Sequence, residues 1–169
     1  MYILTTKDLE HLKTLHPEAR LAFNEALCFA NIWAAQPETW AKYKSLFKAG
    51  TQCFTIRVTN SRRDKYIQAG RYSQGRRWDR DKALWTVVGP TVTNTLDSKH
   101  LDGLAIDVAP FENGLKPIWP EPAHDYPLAK EFWLELAGLF TANEQIKAGA
   151  HWKNPDHPHF EYTLLGEEK

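Results

Sequence analysis

Cysteine is scarce in this chain, since Cys28 and Cys53 are the only two among its 169 residues. Two cysteines are too few for a disulfide framework, and their separation lacks the C-x-x-C spacing of a zinc or redox motif. We therefore expect both to be thiols in the hydrophobic core, without a functional role.

Long apolar runs are also missing. No stretch approaches the roughly 18 to 20 apolar residues that a membrane-spanning helix requires, so we expect a soluble protein without a membrane span. Residues 1–8 show neither a basic start followed by an apolar block nor a small-residue cleavage site, so no standard secretory signal is visible. We therefore predict synthesis in a cytoplasm.

An excess of one charge is absent as well, because 21 Lys and Arg balance 21 Asp and Glu. This balance, together with the lack of a nucleic-acid-binding motif, predicts no nucleic acid partner. The distribution is uneven, however: residues 57–82 hold nine basic side chains against three acidic ones. Such a basic segment suits an acidic substrate.

Apolar periodicity predicts the fold class. Helical spacing of apolar residues dominates up to about residue 48 and returns at 127–143, whereas period-two alternation appears at 52–58 and 104–108. Helices followed by short strands, without regular alternation of the two, predict an α+β domain with a small, mainly antiparallel sheet. We expect a single domain over 1–169, with a helical N-terminal part at about 6–50 and a catalytic core at about 52–165.

Local signals predict the remaining elements. Thr6 is a suitable N-cap for the first helix, and Ser61 for a short helix that ends at Gly70. The polar and glycine-containing stretch 71–82 predicts an exposed loop, followed by a short strand at 85–88. The proline-rich stretch 111–126 predicts a long surface loop, in which His124 is simply exposed.

Two separate stretches carry candidate metal ligands. A strand over 104–108 turns Asp107 away from the face that holds Leu104, Ile106 and Val108. A second strand turns His159 away from the face of Phe160, so the two side chains face each other if the strands are neighbours. His100, in the loop before the first strand, completes three nitrogen and oxygen ligands, the number in a catalytic zinc site with an open position.

Nearby residues leave alternatives open. Asp156, three residues before His159, is placed to act as a base beside the metal. Strand alternation favours His159 over His151 and His157 as the ligand. Each piece alone also has an ordinary explanation, because a His-x6-Asp spacing arises by chance and most loop histidines bind nothing.

The two stretches together resemble a family of zinc peptidases that cut bacterial cell-wall peptides. The motifs are Ser98-x-His100-x-x-Gly103-x-Ala105-x-Asp107, then Gly149-x-x-Trp152 and Asp156-x-Pro158-His159-Phe160-Glu161. The family comprises D-alanyl-D-alanine carboxypeptidases, including VanY-like peptidases, and the L-alanyl-D-glutamate endopeptidases of phage endolysins. The resemblance spans about residues 54–162. It implies one zinc ion on His100, Asp107 and His159, with Asp156 as general base.

The same resemblance is weaker for the substrate contacts. The family carries an Arg on the strand, a Gln on the following helix and then a Gly-Arg pair, which Gly70-Arg71 matches. Arg63 occupies the position that we align with the Gln. Val58 occupies the position that we align with the strand Arg, unless a bulge moves Arg57 into that position. The candidates for binding a peptide carboxylate are therefore Arg57, Arg62, Arg63 and Arg71. Solvated surface charges are the alternative for each of them.

Ser98 is a further candidate for the substrate-binding set, and it is also placed to support the loop that presents His100. The resemblance implies a peptidase that hydrolyses the L-alanyl-D-glutamate bond of peptidoglycan, and we expect a monomer. It also implies action in the periplasm or cell wall after release, as in the antimicrobial lysis of a host by a bacteriophage. The alternatives are a D-alanyl-D-alanine carboxypeptidase or dipeptidase and a zinc-bearing cell-wall binding domain without activity.

Overall fold

The structure is a computed structural model that describes residues 4–48, 50–91, 93, 95–112, 116–119 and 122–166, with only the backbone of 122–126. Its helices are α1 (Thr6–Lys13), α2 (Pro17–Ala34), α3 (Pro37–Tyr43), α4 (Lys65–Ser73) and α5 (Pro122–Thr141). Its strands are β1 (Phe54–Asn60), β2 (Arg76–Asp79), β3 (Leu84–Val87), β4 (Ala105–Glu112), β5 (Lys116–Pro117), β6 (Ile146–Ala148) and β7 (His159–Tyr162). Single 3₁₀ turns occupy Lys44–Leu46 and Gly149–His151.

The strands form two antiparallel sheets. The larger has the order β1-β4-β7-β6 with β5 paired to β4, and the smaller is the hairpin β2-β3. The α+β prediction is confirmed by this arrangement. Within the described ranges, no helix combines the length and the apolar character that crossing a membrane requires.

The core lies between one face of the larger sheet and the helices α2 and α5. Alternate strand residues point into it, as the period-two pattern predicts, and Ile56, Ile106 and Phe160 are fully buried. Phe160 stacks on Phe140 of α5 with ring centroids 4.0 Å apart. Burial of each such side chain contributes about 1.5–3 kcal/mol, so the packing holds the helices on this face and leaves the opposite face for a site.

The outer edge of β1 is covered by side chains from the helices. Asn31 of α2 donates to the backbone oxygen of Ile56 at 2.8 Å, and its own oxygen accepts from the Ile56 N–H at 2.9 Å. Asp8 of α1 accepts from the Val58 N–H at 3.1 Å. An uncovered strand edge exposes unpaired backbone groups. These contacts therefore cover the edge of β1, beside which the described part of the chain places no further strand.

Several local expectations were wrong at element ends. Thr5 rather than Thr6 caps α1, because its hydroxyl accepts from the Asp8 N–H while Asp8 reaches back to the Thr5 N–H. Asp64 rather than Ser61 caps α4, with its carboxylate accepting from two backbone N–H groups. The helix then continues past Gly70 to Ser73. Cys53 is exposed and Cys28 is only half-buried, so the expectation that both are core thiols was wrong.

Two expected loops contain regular structure. Residues 76–79 and 84–87 pair as a hairpin, since Trp78 and Trp85 lie opposite each other and contact across the strands. In the stretch 111–126, β4 extends to Glu112 because Phe111 pairs with Pro117 of β5, and α5 begins at Pro122. His124 lies outside the residues whose side chains are described.

We expect Asn31→Leu to lower the free energy of unfolding by about 2–4 kcal/mol, because it leaves the Ile56 N–H and C=O buried without partners. Chemical denaturation with urea measures this change. The exposed Asn24 of the same helix supplies the matched variant Asn24→Leu, for which we expect little effect. Equal midpoints for both variants would contradict the role of Asn31.

Candidate metal centre

Asp107 and His159 meet across two neighbouring strands. They are direct partners in the β4-β7 ladder, and the Asp107 Oδ1 lies 2.9 Å from the His159 Nδ1. Both side chains are on the face opposite the core residues Ile106 and Phe160, as period-two alternation requires. The ladder therefore sets their separation without any contribution from flexible loops.

His100 reaches the same carboxylate from the turn that precedes β4. Its Nε2 lies 3.2 Å from the Asp107 Oδ1, and its Nδ1 lies 2.7 Å from the backbone oxygen of Ser61. The turn is closed by the bond from the Leu104 N–H to the Lys99 oxygen at 2.9 Å. Gly103 has a φ of +69°, and a Cβ there would meet the Thr14 oxygen at 3.1 Å. Glycine thus allows the turn to pack closely against the segment between α1 and α2.

Hydrogen bonds on the outer side of the two imidazoles direct one ring nitrogen of each towards Asp107. Because a carbonyl oxygen can only accept, the His100 Nδ1 must carry the proton donated to Ser61, and Nε2 is the nitrogen that faces Asp107. The His159 Nε2 lies 3.0 Å from the Glu161 carboxylate, which orients the remaining nitrogen, Nδ1, towards Asp107. Hydrogen bonds of this kind fix the tautomer of metal-bound histidines.

The donor atoms of His100, Asp107 and His159 all lie within 4.8 Å of one another. Two imidazole nitrogens and one carboxylate oxygen at this spacing suit zinc, which binds such ligands at about 2.0–2.2 Å. The residues present therefore fit a single zinc ion with three protein ligands.

Two more side chains hold the second oxygen of Asp107. The Asn60 Nδ2 donates to Oδ2 at 3.0 Å, and the Arg63 guanidinium lies 3.5 Å from the same atom. Asn60 reaches Asp107 because a bulge between Val58 and Asn60 shifts the β1-β4 register. The sequence carries no signal for the contact between Asn60 and Asp107. The contact between Glu161 and His159 was missed, although strand alternation places both side chains on the same face.

Hydrogen bonds between the acidic and histidine side chains of the centre stabilise their charged forms. Burial alone would raise the pKa of Asp107, but hydrogen bonds from His100 and His159 hold it well below its usual range. Burial likewise opposes the charge on His159, yet hydrogen bonds to Asp107 and Glu161 raise its pKa to about 9. The hydrogen bond from His159 lowers the pKa of Glu161. Asp107 and Glu161 are therefore anionic at neutral pH.

Asp156 lies on the segment that leads into β7. Its N–H donates to the Gly149 oxygen at 3.0 Å, and its own backbone oxygen accepts from the His159 N–H at 3.1 Å. A Cβ on Gly149 would come within 2.4 Å of that backbone oxygen, so glycine is required for this close approach. The side chain is exposed at the rim; partial burial raises its pKa, while the positive charge of His159 acts in the opposite direction.

A cleft of about 700 Å³ opens over the three candidate ligands. Asp156 and the exposed rings of Trp119 and Trp152 belong to its walls. Its basic wall residues are Arg63, Arg71 and Lys99. The cleft thus combines a candidate metal centre, a carboxylate beside it and several cations.

The predicted substrate-binding residues divide into two groups. Arg63, Arg71 and Ser98 line the cleft, and the Ser98 hydroxyl accepts from the His100 N–H at 3.4 Å. Arg57 and Arg62 are not among the described residues that line it. Arg57 instead lies 3.4 Å from the Asp8 carboxylate and over the Phe111 ring, whereas Arg62 is exposed.

The two remaining histidines of the second stretch also lie outside the described lining of the cleft. His157 packs against the Trp133 ring, with centroids 6.1 Å apart, and His151 is exposed. The indole of Trp152 instead contacts His159, with centroids 5.3 Å apart. His159 is therefore the histidine of this stretch that the fold brings to Asp107.

Comparison with known proteins agrees with the geometry. Residues 91–162 match the family model described as D-alanyl-D-alanine carboxypeptidase, and this range contains all three candidate ligands and Asp156. None of the curated proteins matches the chain. The fold is similar to that of the L-Ala D-Glu endopeptidase ChiX of Serratia marcescens, with a TM-score of 0.59 at 19% identity, covering 95% of this chain and 89% of that chain. The resemblance to this peptidase family is confirmed over residues 91–162.

We expect Glu161→Ala to weaken zinc affinity by about 10- to 100-fold, because His159 loses the partner that orients its ring. Competition with a chromogenic chelator measures the affinity. Glu161→Gln, which keeps an oxygen acceptor, should recover part of the loss, and the exposed Glu144→Ala should match the unchanged protein. Equal zinc affinity for Glu161→Ala and Glu144→Ala would contradict the assignment.

Proposed function

We propose that this chain, which resembles the D-alanyl-D-alanine carboxypeptidase family over residues 91–162, is a zinc-dependent peptidase of bacterial peptidoglycan. Its proposed reaction is hydrolysis of the L-alanyl-D-glutamate bond of stem peptides. The observation that carries the proposal is the convergence of two imidazole nitrogens and one carboxylate within 4.8 Å beneath an open cleft.

Zinc held by His100, Asp107 and His159 would supply Lewis acidity, which polarises a peptide carbonyl and acidifies water. The neutral imidazoles and the single carboxylate leave the site with a net positive charge when zinc is bound. Glu161, Asn60 and the Ser61 carbonyl would keep the ligands in place through their hydrogen bonds.

Asp156 is the proposed general base. It lines the same cleft as the candidate ligands, and its carboxylate would accept a proton from the attacking water and deliver it to the leaving nitrogen. A raised pKa suits this task, because a base whose pKa lies nearer the working pH also returns its proton more readily. The Gly149 contact fixes the backbone of Asp156 and hence the direction of approach.

Arg63 and Arg71 are the proposed partners of a substrate carboxylate. Both guanidinium groups line the cleft, and burial together with repulsion from the positive charge of Arg71 lowers the pKa of Arg63. A carboxylate between two guanidinium groups relieves that repulsion and accepts charge-assisted hydrogen bonds. An acidic peptide therefore suits this wall.

A D-alanyl-D-alanine carboxypeptidase is the second candidate, favoured by the family that residues 91–162 match. Either bond places a carboxylate near the point of cleavage, so the two arginines serve both reactions. The motifs that resemble phage endolysins support the endopeptidase. They also support action in the periplasm or cell wall after release from the cytoplasm, as part of phage lysis.

The function is tested by incubating the zinc-loaded protein with purified sacculi and identifying the new ends. We expect a newly exposed amino group on D-glutamate, turbidity loss of outer-membrane-stripped cells, and loss of both with a chelator. Released D-alanine would favour the carboxypeptidase. No new ends in the presence of zinc would refute both reactions.

The same assay includes Asp156→Asn, which keeps the size of the side chain. We expect zinc content to be unchanged and the hydrolysis rate to fall by about 10²- to 10⁴-fold, the usual contribution of a general base. Cleavage at the unchanged rate would refute the role of Asp156, while loss of zinc would show that it is a ligand.

We expect Arg71→Ala to raise KM for an acidic stem peptide by about 10- to 100-fold through loss of a charge-assisted hydrogen bond. Steady-state kinetics on a soluble stem peptide measure the change. Arg62→Ala removes an exposed guanidinium of the same segment that is not among the described lining residues, and it should leave KM unchanged. An equal KM for both variants would contradict the role of Arg71.

A further inference from the structure

The β2-β3 hairpin is a part of the molecule that the proposed reaction does not use. Trp78 is 46% exposed, Leu84 45% and Val87 62%, which is unusual for large apolar side chains on such a short element. Residues 76–87 also carry four basic side chains against two acidic ones. Strand pairing places Trp78 and Val87 on one face and Leu84 on the other. Exposed apolar groups with charges around them are typical of interaction sites.

The hairpin is held firmly at its base. The Arg76 guanidinium donates to the backbone oxygens of Tyr72 at 2.7 Å and Thr93 at 2.8 Å, which joins the end of α4 to the segment after the hairpin. Gly75, at a φ of +74°, accepts from the Val88 and Gly89 N–H groups, and a Cβ there would overlap the Pro90 carbonyl. The Trp85 ring contacts both Trp78 and Tyr72. The hairpin therefore keeps a defined position.

That position is continuous with the cleft. Arg71, which precedes the hairpin, and Thr93 and Thr95, which follow it, all line the cleft. The contacts of Arg76 with Tyr72 and Thr93 therefore join the first strand of the hairpin to this wall. A polymer with one peptide in the cleft would have its neighbouring units close to the hairpin.

Two guanidinium groups on the hairpin are available to such a polymer. Arg77 and Arg80 are exposed, and within the described ranges neither has an ion-pair partner. Lys82, by contrast, is 3.6 Å from the Asp79 carboxylate, whose other oxygen accepts from two backbone N–H groups of the turn. Leu84 adds apolar surface on the same face as Arg77, whereas Trp78 lies on the opposite face of the hairpin.

We propose that the β2-β3 hairpin is a second binding element, outside the cleft, for a peptidoglycan strand. Arg77 and Arg80 would bind carboxylates of adjacent stem peptides, and Leu84, on the same face as Arg77, would supply the adjoining apolar contact. This proposal rests on the proposed function, since it extends the same substrate beyond the cleft. A second site on a polymeric ligand raises apparent affinity through effective concentration, without any change in the chemical step.

Charge favours this occupant over a second copy of the chain. If the hairpins of two copies packed together, the exposed arginines of one copy would repel those of the other. A peptidoglycan strand instead carries carboxylates at regular intervals. An anionic lipid surface would also attract the arginines. The experiment therefore includes lipid vesicles as a separate arm.

The test compares Arg77→Gln/Arg80→Gln with the matched variant Lys13→Gln/Arg20→Gln, which removes two exposed charges from α1 and α2. Co-sedimentation with purified sacculi on ice, in an Asp156→Asn background, measures binding. Steady-state kinetics in the otherwise unchanged protein measure cleavage of sacculi and of a soluble stem peptide. We expect the hairpin variant to bind sacculi about five- to tenfold more weakly and to cleave them with a correspondingly higher KM. Its kinetics on the soluble peptide should be unchanged.

Three results would overturn the proposal. The first is equal sacculus binding by the hairpin and matched variants, and the second is an equal loss on the soluble peptide. The third is weaker binding to phosphatidylglycerol vesicles together with unchanged binding to sacculi. If the wild-type protein cleaves neither substrate, the proposed function fails. The sedimentation comparison still decides whether the hairpin binds the polymer, because it requires no catalysis.

Discussion

The pairing of β4 with β7 is the constraint on which the rest of the site depends. It makes Asp107 and His159 direct partners, so two of the three candidate ligands are positioned by backbone hydrogen bonds. A slip of one residue in either strand would turn its ligand into the core and an apolar neighbour into the cleft. The packing of Ile106 and Phe160 against the helices makes such a slip costly, and the hydrophobic core thereby sets the geometry of the polar face.

Asp107 joins this face into one network. Its carboxylate contacts His100, His159, Asn60 and Arg63, which come from β1, β7 and the loops before α4 and β4. A buried carboxylate is tolerated only when such partners compensate for its lost hydration. Zinc binding to these ligands would connect segments that lie far apart in the chain, so metal affinity and folding stability should be coupled. The outer contacts of Glu161 and Ser61 then matter as much for orientation as the ligands themselves.

Sequence patterns predict the parts of this structure that depend on local periodicity. Alternation at 104–108 and around His159 places both ligands on one face, and the apolar stripe of α2 is buried as expected. Other features depend on contacts between distant residues. The bulge that brings Asn60 to Asp107 and the pairing of Trp78 with Trp85 leave no clear periodic signal in the sequence. The type of its side chain predicts that Arg57 binds a substrate carboxylate. In the structure Arg57 lies beside the buried Asp8, and it is not part of the described lining of the cleft.

The residues that would carry out the chemistry and those that would set the specificity therefore lie on different parts of the fold. The candidate ligands need positions accurate to a fraction of an ångström, which a β-ladder provides, and the motifs that hold them match the family over 91–162. The walls of the cleft come largely from loops, including the one before α4, where Arg63 stands at the position that we align with the family's glutamine. Loops tolerate change because less of their structure is shared with the core. The choice of bond should therefore depend on wall residues such as Arg71 and Trp119, and exchanging them should alter the substrate while leaving zinc affinity intact.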